Sequence, residues 1–128
     1  MNFVKYLNER SLVEMATVCP AKYNFGFVAK IHSNDHNPPH FHIETVSGDE
    51  IAKIVITNKP PVAVSDFKIL KMFNSKEFNS VKNNVLRWIN SNVHNLDINT
   101  WSFLKATWIS FHPDENVTFD DWIRGEKC

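Results

Sequence analysis

A surplus of charge of either sign is missing from this sequence. Fourteen basic residues balance fourteen acidic ones over 128 positions, so no global field draws the chain toward nucleic acid or anionic lipid. Cysteine is down to Cys19 and Cys128. The two are too far apart for a disulfide framework and lack zinc spacing, which makes reduced thiols in a cytoplasm the expectation. Long apolar runs are missing as well. Lys5, Glu9, Arg10 and Glu14 interrupt the N-terminal segment before a signal-peptide core can form. No stretch approaches the roughly 18 apolar residues of a membrane span. Neither HExxH, a P-loop, GxSxG nor CxxC occurs, and no nucleotide or flavin signature is present.

What is there suits one globular domain over residues 1–128. Apolar residues make up 43% of the chain, with 10 Phe and 4 Trp to fill a core. Residues 2–18 place Phe3, Val4 and Leu7, then Leu12, Met15 and Ala16, at helical spacing, and Ser11 with Glu14 forms a capping box. An N-terminal helical segment ending at Pro20 is therefore expected. The period then drops to two: Tyr23, Phe25, Phe27, Ala29 and Ile31 alternate with other residues as in a half-buried strand. A turn over residues 33–39 leads to a second strand at 40–46. A hairpin at 47–50 leads to a third at 51–56.

Helical patterns follow. Ser65 or Asp66 is placed to cap a short helix reaching Phe73, and Asn74 with Glu77 caps a longer one carrying Phe78, Val81, Val85, Trp88 and Ile89 on one stripe. Asp97 or Asn99 opens a helix with Trp101, Leu104 and Trp108 on one side. Thr118 and Asp121 cap a last turn that Gly125 stops. The four tryptophans, Trp122 among them, read as core. The expected fold is α+β, a three-stranded antiparallel meander packed against helices, with an N-terminal helical segment and C-terminal helices.

The chemistry concentrates in one stretch. Asp35-His36-Asn37-Pro38-Pro39-His40-Phe41-His42-Ile43-Glu44 holds three imidazoles and two carboxylates in ten residues. Residues two apart on a strand share a face at about 6.7 Å, so His40 and His42 can converge on one ion or phosphate. Pro38 and Pro39 stiffen a loop that could fold Asp35 and His36 back over that face. His36, His40 and His42 are the candidate metal ligands for a divalent transition ion. Asp35 and Glu44 are the candidate catalytic base or outer support. The bland alternative is a polar turn whose histidines bond backbone and one another. His94 and His112 are isolated, each a remote candidate for a third ligand. Between Lys59 and Arg87 six basic residues face two acidic ones, which reads as a solvated face rather than a nucleic-acid contact.

The run from Asp35 to His42 resembles the hallmark box of a small bacterial family, domain of unknown function family 4160. Trp88-Ile89 and Trp101 match its later positions, and the likeness spans about residues 25–105. The N-terminal segment, an insert around Phe67 to Asn79 and the tail after Trp108 depart from it. The resemblance implies a cytoplasmic protein of a toxin–antitoxin-like gene pair, and it names no reaction. A co-encoded small protein is the implied partner, self-association is compatible with it, and neither membrane nor nucleic acid is expected. Two functions follow: a metal-dependent hydrolase, or a non-catalytic partner-binding module whose histidine box is structural.

Overall fold

A computed structural model describes residues 15–19, 25–93 and 98–112. Its frame is a five-stranded sheet in which each strand pairs with the next in the chain, all antiparallel. The strands are β1 (Met15–Cys19), β2 (Val28–His32), β3 (His40–Glu44), β4 (Glu50–Val55) and β5 (Ile69–Met72). A 3-10 turn at Val64–Asp66 lies between β4 and β5, and helices α1 (Ser75–Ile89) and α2 (Thr100–Phe111) follow. The fold is α+β, as composition and periodicity indicate.

Two elements differ from their sequence patterns. Met15 and Ala16 fit a helical stripe, yet Met15–Cys19 is a strand paired with β2. Thr17 and Val18 are β-branched, and the open edge of β2 offers a ladder that local spacing does not reveal. The expected helix from Ser65 or Asp66 to Phe73 is likewise absent. Asp66 instead accepts from the backbone N–H groups of Val62 and Ala63, at 3.1 and 3.0 Å. The chain then enters β5, where Ile69 opposes Ile54 and Met72 opposes Ala52. The three expected strands are thus the centre of a wider sheet. The remaining helical expectation over residues 2–14, the last-turn signals at Thr118, Asp121 and Gly125, and Trp122, Cys128 and His94 lie outside the described residues.

The central hairpin turns at Gly48, whose φ of 101° suits a residue without Cβ. Ahead of β3, the Asn37–Pro38 peptide is cis, a point composition leaves open. Asn74 accepts from the Glu77 N–H at 3.0 Å and starts α1 where the capping pattern places it. Asn99 does the same for α2, accepting from Trp101 N–H at 2.9 Å. One face of the sheet carries Phe27, Ala29, Ile31, Phe41, Ile43, Ala52 and Ile54, packed with Phe78, Val85, Trp88 and Ile89 of α1 and Trp101, Leu104 and Trp108 of α2. Phe41 sits centrally, its ring edge-on to Trp88 and to Trp101 at 6.0 and 6.1 Å between centroids. The Trp101 indole N–H donates to the Thr57 carbonyl at 2.7 Å and ties α2 to the end of β4.

Candidate metal centre

Alternation along β3 sends Phe41 and Ile43 into the core and His40 and His42 to the opposite face. Both histidines are nevertheless buried, at 4% and 5% exposure. A buried imidazole needs partners for both ring nitrogens. The His40 Nδ1–H donates to the Pro38 carbonyl at 2.8 Å. The His42 Nδ1–H donates to the Glu50 carboxylate, across the hairpin. Each ring is thereby fixed with Nε2 turned inward, and both Nε2 atoms meet one oxygen. Asp35 Oδ2 lies 2.6 Å from His42 Nε2 and 3.2 Å from His40 Nε2. The second contact lacks hydrogen-bond angles, so His40 Nε2 is a buried atom without a hydrogen-bond partner.

These three residues form a group that could hold a metal ion, with one donor atom from each, all within 4.8 Å of one another. Ligands placed tetrahedrally about 2.1 Å from zinc stand about 3.4 Å apart, so Asp35 Oδ2, now 2.6 and 3.2 Å from the two Nε2 atoms, needs to draw back from each by less than about 1 Å. Three protein ligands leave a fourth position for water or substrate, the arrangement of catalytic rather than structural ions.

Of the residues singled out in the sequence, Asp35, His40 and His42 come together. His36 does not join them: it is exposed on the loop and stands outside the group. The turn that brings Asp35 over β3, with its N–H directed at the His32 carbonyl at 3.4 Å, leaves the next side chain on the outer side. Glu44 is also elsewhere, paired with Lys30 Nζ at 3.0 Å. The carboxylate that supports His42 is Glu50, which the sequence pattern reads as a turn residue. Its signal was available in the hairpin itself, since residues flanking a short turn on paired strands share a face. His32 was missed too. Its ring lies edge-on to His42 with centroids 4.3 Å apart. His112 caps α2, stacks on Trp108 at 3.8 Å and donates through Nδ1 to the Trp108 carbonyl. Trp108 in turn reaches His40, at 5.4 Å between centroids.

Burial holds His40 below its ordinary 6.5, against the opposing bond to the Pro38 carbonyl and the Asp35 charge. Burial, then the nearby His42 charge, lowers His32. Burial would raise Asp35. The hydrogen bond from His42 and the charges of His42, His40 and His32 outweigh it and hold the carboxyl below 3.8. All three shifts act on folding in one direction. Each group is protonated more readily when unfolded, so its stabilisation is complete above the ordinary value and is lost as the pH falls toward the folded one. The melting temperature of metal-free protein should therefore fall as pH drops from about 7 to about 5, through the histidine window, and again below about 4 with Asp35. His40→Gln should flatten the first decline in a melting series. An unchanged slope would show that His40 is not the group responsible.

A small α+β protein with a buried histidine–carboxylate cluster on the central strands of an antiparallel sheet is what this fold and site define. The chain belongs to the family described as Domain of unknown function (DUF4160), whose model matches residues 26–101 and so includes the whole cluster. No curated protein and no solved structure matches the chain. None of the described helices is long and apolar enough to cross a membrane.

Proposed function

We propose that this protein is a metal-dependent hydrolase whose divalent ion is held by Asp35, His40 and His42. One observation carries it. Both histidines donate Nδ1–H to a fixed oxygen, Pro38 O for one and Glu50 for the other, while both Nε2 atoms face the same Asp35 oxygen. Metal-bound histidines almost always have this outer support, which sets tautomer and ring orientation. A polar turn that merely satisfies its own histidines has no need to aim two Nε2 atoms at one carboxylate oxygen. Two imidazoles and a carboxylate suit zinc, iron, nickel or manganese. An ion there would polarise a substrate oxygen and activate water.

Protein purified without a histidine tag, or reconstituted with zinc, manganese, iron or nickel, should hold close to one ion per chain by elemental analysis. Combining His40→Ala with His42→Ala should abolish it. Wild-type protein that stays metal-free after all four supplements sinks the proposal.

A second reading, the partner-binding module of a two-gene system, has its own support. β5 is an edge strand of the described sheet, and Leu70, Met72 and Phe73 on and beside it are exposed. Edge strands are open to pairing with another chain. In that reading the double histidine variant leaves capture of the co-encoded protein unchanged.

A further inference from the structure

The sheet register lines up more than the histidines. His42 opposes Lys30 on one side and Lys53 on the other, and Lys53 opposes Lys71 in the next strand. Directly opposed residues project from the same face, so Lys30, His42, Lys53 and Lys71 form one row across four strands. The members of that row differ in their partners. Lys30 is occupied by Glu44. Lys53 has no carboxylate partner among the described residues. Its ammonium group lies 5.8 Å from the Phe73 ring centre, and that of Lys71 lies 4.9 Å from it. Lys53 is half-buried and directly opposes His42 across the β3–β4 ladder.

Charge decides what this face would accept. The carboxylates of Asp35, Glu44 and Glu50 equal in number the ammonium groups of Lys30, Lys53 and Lys71, although only Glu44 and Lys30 are paired. A divalent ion in the histidine cluster is therefore charge in excess on this face, where Lys53 stands directly opposite His42 in the strand register and has no ion pair among the described residues. We infer that the metal centre takes a phosphoryl group as its substrate anion, with Lys53 binding the oxygens the ion does not and Lys71 adding long-range attraction. This assignment rests on the metal-site proposal above and names its substrate class. A dianionic phosphate matches the excess charge and offers several oxygens to two sources of positive charge. A carboxylate matches half of it. An ammonium group on a four-carbon stem suits such a point-charge role.

The test is calorimetric titration of metal-loaded protein with inorganic phosphate, beside sodium acetate, with ion content measured on every sample. Wild type should bind phosphate, and acetate should compete poorly. Lys53→Met should keep its ion and its melting temperature, yet bind phosphate roughly tenfold more weakly or worse, the scale of one charge-assisted contact. Lys53→Arg should recover most of the loss, and Lys76→Met, on α1, should behave as wild type. Loaded protein that ignores phosphate, binds acetate equally well, or is indifferent to Lys53→Met overturns the inference and leaves the metal site standing. Protein that takes up no ion ends both.

Discussion

Phe41→Ala should cost about 3–5 kcal/mol of folding stability, the range for deleting a buried aromatic from a packed core. The ring is fully buried, with Trp88 and Trp101 edge-on to it from two helices. Its removal leaves a cavity that two rigid indoles cannot close, because each is held by other contacts. The Trp101 N–H is bonded to the Thr57 carbonyl, and Trp88 also packs edge-on against Phe27 at 5.5 Å. A domain of this size has only about 5–15 kcal/mol in total. Urea unfolding should therefore show a large drop in midpoint, and Val62→Ala, at an exposed position, should stay within about 0.5 kcal/mol of wild type. A drop below 1 kcal/mol for Phe41→Ala would mean that the described packing is wrong at its centre.

Glu50→Ala should weaken metal affinity by about 10–100-fold, measured by competition with a chromophoric chelator. Glu50 touches no ion in this scheme. It accepts the His42 Nδ1–H, which orients the ring and makes Nε2 a better donor. Glu44→Ala is the informative comparison. Glu44 follows His42 by two residues and Glu50 by eight, so sequence proximity favours the wrong carboxylate. Glu44 is committed to Lys30, and its loss should leave affinity within about threefold of wild type, a change of about 0.6 kcal/mol. Equal losses from the two variants would point to a general charge effect, and a larger loss from Glu44→Ala would reverse the assignment.

The histidine pair was legible because a strand has a period of two. His40 and His42 share a face in any register, and the apolar Phe41 and Ile43 decide which face is buried in the core. The two long helices were legible for a similar reason. Asn74 and Asn99 cap them where the side-chain pattern says, and their apolar stripes fall at helical spacing. The outer strands were not. Met15–Cys19 and Ile69–Met72 are short, and residues such as Met15, Ala16, Leu70 and Met72 suit a helix as well as a strand. Only the open edges of β2 and β4 select the extended form.

The same division runs through the site. Spacing within β3 settled that two imidazoles lie side by side, since that depends on backbone geometry alone. Which carboxylate joins them depended on how a prolyl loop and a hairpin fold back. Asp35 was brought in, His36 was turned out, Glu44 was drawn to Lys30 and Glu50 was carried across the turn. Lys53 entered the row through strand register, a property of two segments at once. Periodicity is local and can be read from one stretch of chain. Register and loop direction are set by the free energy of the whole core, where Phe41, Ile43, Ala52 and Ile54 must pack together, and no single stretch contains that information.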